Sequence, residues 1–527
     1  MHSNNEKSGS SEDNCIGLAV FTFLFAWAYI FDLKATLVHP LVDFSVVSPI
    51  GFLVLAFVFL NIWIILKPSS LLMSILFFVC ILITIIIRMP IVNNHNFVQG
   101  IILITILICF IYSIIKYRSD FTKTKFYESF APVLRLEIII VYFWAVFHKL
   151  NTGFFNSKIS CATVEIFNIK DIAPFLPAPD WFLHINPYLT LSIEGLIPIL
   201  LIIPKTRIYG LALGICFHFI LGFQYPGFTL FVYSLYSLFI PSTSYDRIKN
   251  RVYELRDTIS EAFPRISYYK SWKKMVFGNI VTNVVLISLI FFILRILMKG
   301  DFKTSFLLSR EGLYLIFGIF LGIAFIYFVV MKLKELRIDE GMILIPQKKW
   351  LLIFPAIVFL NGLFPHIGLK NIQVFAMFSN LQTEGGRTNH LLIPSSFQLF
   401  NNLEDLVSIK RSNYKTLNQF SGYRFEKINH LTAVLIPASY IEYMNDKNEG
   451  VRTRFRYKIP FAMLQNMVTQ LAKRGGTNIK LEYERGGEIF NTRNAELDPI
   501  LSNASIFQIK FLSQRAVPDD ERGLCMW

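Results

Sequence analysis

The run Ser70-Leu71-Leu72-Met73-Ser74-Ile75-Leu76-Phe77-Phe78-Val79-Cys80-Ile81-Leu82-Ile83-Thr84-Ile85-Ile86-Ile87 carries no charged side chain. A helix needs about 17–25 mainly apolar residues to cross a hydrocarbon core of ~30 Å. This run meets that length without interruption. Outward from it, comparable runs recur near 15–31, 49–66, 97–115, 130–148, 187–203, 207–223, 226–241, 278–298, 312–331 and 349–364. The expected fold class is therefore an α-helical polytopic membrane protein with about eleven transmembrane or re-entrant helices. The two short runs before residue 241 have the lengths at which a re-entrant helix competes with a full crossing. Composition agrees: 54% hydrophobic against 17% charged residues, with 52 Phe and 22 Tyr in 527 positions, is too apolar for a water-soluble domain of this size.

The net charge of +15 raises the question of nucleic acid. The cations fall between the apolar runs, however, and are not interleaved with aromatics as in a single-strand-binding surface, so no nucleic-acid partner is expected. They fit membrane topology instead, because Lys- and Arg-rich loops stay cytoplasmic. With eleven crossings, one side collects 21 Lys and Arg, including eight between Arg247 and Lys274, and the other side collects 8, among them Arg88, Lys149 and Lys170. The chain is expected in the cell membrane as a multi-pass protein, N-terminus cytoplasmic and C-terminal domain exoplasmic. Residues 1–14, Ser/Asn-rich and mixed in charge, read as a disordered N-terminus, and Cys15–Phe31 as a retained anchor.

Long apolar runs stop near Phe378, which divides the chain into a transmembrane domain, 15–377, and an exoplasmic α+β domain, 378–527. Ile479, Leu481 and Tyr483 alternate onto one face of a strand, and Gly486-Gly487 turns it into a second. Pro460 to Lys473 has helical spacing with Gly475-Gly476 beyond its end. Phe507 to Leu512 is a further strand candidate. The six cysteines show no metal-ligand spacing, so no metal is expected. Cys161 and Cys525 are the two that this topology leaves outside, where disulfides persist, and a bond between them is a hypothesis.

Ionisable side chains inside apolar helices cost at least ~2.5–3.5 kcal/mol at mid-bilayer and are the first place to look for chemistry. The run at 130–148 and its end hold Arg135, Glu137, His148 and Lys149. At 100° per residue, Arg135, Tyr142 and Lys149 share one side, while Glu137 and His148 share the opposite one, which implies a helix buried on both. An amine at the mouth of an apolar cavity loses solvation and becomes available as a base. The competing reading of Lys149 is a lysine that snorkels to the headgroups. Glu194 and His218 are further intramembrane ionisable groups, each readable as functional or as a satisfied hydrogen-bonder. The loop from Asn151 to Pro187 is placed to roof a pocket.

Tyr142-Phe143-Trp144-Ala145-Val146-Phe147-His148-Lys149-Leu150-Asn151 resembles a motif of the vitamin K-dependent gamma-carboxylase-like family, also called the horizontally transferred transmembrane (HTTM) domain family. Asn93-Asn94-His95 with Gly100, Phe217-His218, and Phe228 to Ser242 resemble further stretches of it. Met377-Phe378-Ser379-Asn380, Thr383-Glu384-Gly385-Gly386-Arg387 and Asn389-His390 look like a stretch of bacterial members with a C-terminal domain. The resemblance implies that Lys149 acts as base toward a reduced quinone of the vitamin K hydroquinone type, whose oxygenation drives epoxidation and carboxylation. Where the carboxylases carry a second functional histidine, Ile111, Tyr112 and Ser113 stand here, so the acceptor is open.

Three functions follow. The first is a quinol-dependent oxidoreductase or lyase, with Lys149, His148 and His218 catalytic and Arg135, Tyr142 and Glu194 binding substrate. The second is a non-catalytic membrane module that binds a quinone or lipid and presents its C-terminal domain to an exoplasmic protein or peptide. The third is a transporter, for which inverted repeats or paired interrupted helices are not evident.

Overall fold

A computed structural model describes residues 15–31, 49–90, 92–172, 177–240, 344–421, 424–425, 438–447, 454–518 and 525. The expected helices near 278–298 and 312–331, the N-terminus 1–14 and the cationic segment from Arg247 to Lys274 lie outside these residues. Every apolar run that falls on described residues is helical: α1 (Ile16–Phe31), α2 (Pro49–Leu66), α3 (Leu71–Arg88), α4 (Asn94–Tyr117), α5 (Lys123–Phe147), α8 (Asp180–Ile202), α9 (Arg207–Leu221), α10 (Pro226–Ser237) and α11 (Ile353–Leu363). Four helices among the described residues are long and apolar enough to cross a membrane: Leu71–Arg88, Asn94–Asp120, Lys123–Phe147 and Asp180–Ile202. The stretch expected as a roofing loop instead contains a short helix, α6 (Thr152–Phe155), and a 12-residue one, α7 (Cys161–Ile172).

The chain forms two compact units. The first takes residues 1–81, 103–135 and 200–347. Its described part is a Phe-rich helical core in which Phe25 of α1 meets Phe231 of α10 at 5.8 Å and Phe78 of α3 at 5.7 Å. Small residues bring helices close, as is usual in lipid, where tight packing replaces the hydrophobic drive. A Cβ at Gly214 of α9 would stand 2.4 Å from the Tyr236 hydroxyl of α10. Two buried guanidinium groups are tied to backbone carbonyls: Arg135 Nε donates to Leu238 O at 2.7 Å, and Arg207 Nε to Leu201 O at 2.9 Å.

The second unit takes residues 82–102, 136–199 and 348–527. It holds an antiparallel five-stranded sheet in the order β6-β5-β1-β4-β7, with β1 Leu406–Ser412, β4 Tyr457–Pro460, β5 Leu481–Arg485, β6 Glu488–Thr492 and β7 Val517–Pro518. A small separate pair joins β2 (Arg424–Phe425) and β3 (Arg454–Phe455). The β5–β6 hairpin turns on Gly486 and Gly487, at φ +59° and +87°, the left-handed values that a two-residue turn requires and glycine adopts without strain. Ile479, Leu481 and Tyr483 are buried on one face, as their alternation predicts, and pack with Val407, Ile409 and Ile459. Helix α14 (Phe461–Lys473) covers this face through Leu464 and Val468, and it too lies where the spacing puts it. Two remaining short helices, α12 (Lys415–Asn418) and α13 (Ala438–Asp446), complete the region before α14.

Phe507 to Leu512 is not a strand. It forms α15 (Ile506–Phe511), because Ser505 Oγ accepts from Gln508 N while the Gln508 side chain accepts from Ser505 N, a capping box that fixes the first turn.

Candidate functional site

Helix α5 ends at Phe147, and the next residues carry the site. Lys149 is 3% exposed, and its Nζ stands 2.7 Å from Oε2 of Glu194 on α8. The contact is an ion pair whose angle falls outside hydrogen-bond geometry. The same ammonium donates to Ala145 O at 3.2 Å and Met377 O at 3.4 Å, and lies 5.9 Å from the Phe154 ring centre. Lys149 therefore neither snorkels into water nor stands as a bare amine; it is half of a buried pair.

Asn151 holds this turn in place. Its Nδ2 donates to His148 O at 2.7 Å and Ser379 O at 2.5 Å, and its Oδ1 accepts from Phe154 N at 2.8 Å to cap α6. Asn380, at φ +56°, accepts from Cys161 N through Oδ1 at 2.7 Å and donates to Ile159 O at 2.8 Å. Asn389 donates to Asn380 O at 2.8 Å. Asparagine tolerates the left-handed region and offers both donor and acceptor, which is why this residue type recurs where three chain segments meet. The Ser379-Asn380 and Asn389-His390 motifs thus frame the Lys149 turn.

The same unit holds a stack of flat rings built on the preceding turn and on the chain after α11. Trp144 stacks on His148 at 5.2 Å and 26°, and on His366 at 6.1 Å and 27°. His366 stands 5.2 Å from His148 and 4.9 Å from His390. His390 Nδ1 accepts from Leu392 N and Ile393 N at 3.1 Å, and its Nε2 faces Phe147 O at 2.9 Å. Backbone N–H only donates and a carbonyl only accepts, so His390 is neutral with its proton on Nε2. His148 Nε2 lies 3.0 Å from Gly362 O and donates to it by the same argument. Both ring nitrogens of buried His366, and the indole nitrogen of Trp144, have no hydrogen-bond partner. Buried polar atoms without a partner are uncommon in folded proteins, which marks these nitrogens out. Gly362 lets the indole lie flat, since a Cβ there would stand 2.3 Å from it.

Burial holds His366 down to about 3, with the nearby His390 adding to the effect, and burial also lowers His390 against the pull of the Phe147 carbonyl. The unfolded chain, with histidine at its ordinary 6.5, then binds more protons than the folded one between pH 6.5 and about 3. Stability is present above 6.5 and falls as pH drops through that window. Thermal unfolding in lipid between pH 7.5 and 5 is expected to show this fall, and His366→Phe, which keeps the stacked ring, to flatten it. An unchanged slope would assign the fall to other groups.

The sequence-derived residues separate by unit. Lys149, Glu194, His148 and Tyr142 lie in the second, where the first three build the site and Tyr142 is buried at 6% exposure on α5. Arg135 and His218 lie in the first. The His218 ring sits 5.5 Å from Phe228 and 6.0 Å from Tyr236, and its carbonyl accepts from Thr229 Oγ1 at 3.0 Å. Cys161 and Cys525 form a disulfide, with Cα atoms 4.8 Å apart. Reduction of the denatured protein is expected to raise its thiol count by the two cysteines of that bond, above the four outside it, Cys15, Cys80, Cys109 and Cys216. No gain on reduction would contradict the bond.

Sequence reasoning did not single out Trp144, His366 or the buried amine of Lys370, which lies 4.2 Å from the Phe97 ring centre and is pulled down to about 7 by burial. The available signal for His366 was a histidine just past an apolar run. Among the described residues no group of three His, Cys, Asp or Glu side chains is arranged to hold a metal ion. No protein-family model, curated protein or solved structure matches the chain.

Proposed function

We propose that the chain is a multi-pass membrane enzyme of the carboxylase-like, HTTM type, in which the Lys149–Glu194 pair and the Trp144–His148–His366 stack receive a reduced quinone from the lipid. The observation that carries this reading is a buried acid–base pair just past the end of a helix long and apolar enough to cross a membrane, in the same unit as a stack of flat rings that includes nitrogens without hydrogen-bond partners. About eleven crossings, a cytoplasmic N-terminus and an exoplasmic C-terminal region belong to the same reading. The Cys161–Cys525 disulfide supports the exoplasmic side, since such bonds persist in oxidising compartments. So does the membership of the second unit, which holds the chain at Arg88, Asn94, Phe147 and Asp180 together with the sheet.

The residues have definite work in this scheme. Glu194 accepts a hydroxyl proton, and the Lys149 ammonium, steadied by Ala145 O and Met377 O, stabilises the oxyanion left behind. The pair, rather than the amine alone, is the base. Trp144 and His148 give a flat apolar wall, and the Trp144 indole N–H and the His366 nitrogens meet the ligand's oxygens. Burial keeps water from quenching a strong base. A bound quinol would supply, with oxygen, the oxidative chemistry that the resemblance implies. Arg135 and His218 stand outside this step.

A second reading is a non-catalytic module that binds a quinone or lipid and presents the sheet region to an exoplasmic protein or peptide. It is favoured by one observation: the Lys149 ammonium is already matched by a carboxylate and two carbonyls. Quinol oxidation by the purified protein in lipid, with oxygen, separates the two. Wild-type turnover should fall by roughly 100-fold or more in Lys149→Ala and Glu194→Gln, the usual scale for a positioned acid–base group. Equal turnover in all three removes the pair from the chemistry, and binding without turnover selects the second reading.

A further inference from the structure

We propose that helix α15, Ile506–Phe511, is an interfacial anchor that seats the sheet-bearing unit on the lipid surface, with Ile506, Phe507 and Phe511 immersed at the boundary between headgroups and acyl chains. The helix is attached to its own unit through Ile509, which is 7% exposed. On the other side Ile506, Phe507 and Phe511 are 70%, 61% and 43% exposed, and the two phenylalanine rings stack at 5.3 Å. An exposed apolar face is not by itself a site.

The second observation fixes its depth. Lys510 Nζ donates to Met89 O at 2.7 Å, Ile86 O at 3.1 Å and Ile87 O at 3.4 Å. These carbonyls belong to the last turn of α3 and the residue after it, where a helix leaves acceptors unsatisfied and attracts a cation. Helix α3 is 18 residues long, one of the four able to cross a membrane, so its last turn marks the edge of the hydrocarbon layer. An ammonium bonded to that turn holds α15 at the same level. Aromatic side chains exposed at that depth meet lipid, and the lysine between them reaches its carbonyls as a snorkelling cation does. Arg474, close enough to act electrostatically on Lys510, adds a second cation that suits an anionic headgroup.

The occupant is therefore the bilayer of the same membrane, not a separate protein. The inference rests on reading α3 as a membrane span, and the experiment tests both separately. The unmodified full-length chain is placed in phosphatidylcholine–phosphatidylserine vesicles containing a phosphatidylcholine with a diazirine on its acyl chain, irradiated, and mapped by mass spectrometry. The peptide containing Ile506–Phe511 should be labelled about tenfold more than the β5–β6 hairpin, as an apolar face within reach of acyl chains would be. Labelling of α3 without labelling of α15 would overturn the anchor. No labelling of α3 would overturn the membrane reading beneath it. A parallel run with a bifunctional amine-reactive crosslinker that joins two copies through the α15 peptide, where that peptide takes no lipid label, would mean that a second copy covers the face and would also overturn the proposal.

Discussion

Lys149→Ala is expected to destabilise the protein by about 3–5 kcal/mol, the usual consequence of removing one partner of a buried ion pair. The reason is what remains: the Glu194 carboxylate, whose side chain is 13% exposed, would keep its charge cost without the ammonium 2.7 Å away. Removing both charges is a different experiment. A Lys149→Met/Glu194→Leu double variant keeps the volume and discards the desolvation cost, and such replacements are often neutral or stabilising. Unfolding followed in detergent or lipid should therefore show a strongly destabilised single variant and a double variant near wild type. Additive losses would mean that the two side chains do not act as a pair. The comparison also separates stability from function, because the double variant should fold and still fail to oxidise quinol.

Glu384→Ala is expected to cost a similar ~3–5 kcal/mol, because it would strand a buried guanidinium. Arg515 and Glu384 side chains are 6% and 1% exposed, with Nη2 2.9 Å from Oε1. Arg515 Nε also donates to Oε1 at 3.0 Å, Asn371 Nδ2 to Oε1 at 2.5 Å, and Thr383 N to Oε2 at 2.9 Å. Arg515 Nη2 adds a bond to Leu381 O at 2.6 Å. The network ties the chain just before β7 to the segment 371–384, so its loss should loosen the C-terminal strand first. Limited proteolysis should release the C-terminus of Glu384→Ala well before the wild type is cut, while Glu384→Gln, which keeps acceptor and shape, should fall between. Wild-type protease resistance in Glu384→Ala would show that the network carries little energy.

These two networks show how far the sequence could be read. The long apolar helices were legible because a run such as Leu71 to Ile87 is long, uniformly apolar and free of helix breakers, and the Ile479–Tyr483 strand because its alternation and the Gly486-Gly487 turn agree. Lys149 and Glu194 were each visible as costly charges in apolar surroundings. Their pairing was not, because the partners sit on different helices and no local pattern records a contact across them. The Glu384–Arg515 bond spans a still longer stretch of chain, and Thr383-Glu384-Gly385-Gly386 stood out only as part of a resemblance. Helix α15 was misread as a strand: its few apolar residues fit either period, and the Ser505–Gln508 box, which decides the matter, is a side-chain detail at the boundary. Helix α7 was missed because its sequence mixes polar and apolar residues without a long stripe.

The central claim is that the Lys149–Glu194 pair receives the ligand, and equilibrium binding of a short-chain naphthohydroquinone to the protein in nanodiscs tests it most directly. Wild type should bind, and Glu194→Gln, checked for folding by its unfolding midpoint, should bind at least ~10-fold more weakly, as loss of a hydrogen bond to a charged group implies. An identical Kd in a folded Glu194→Gln variant would contradict the account.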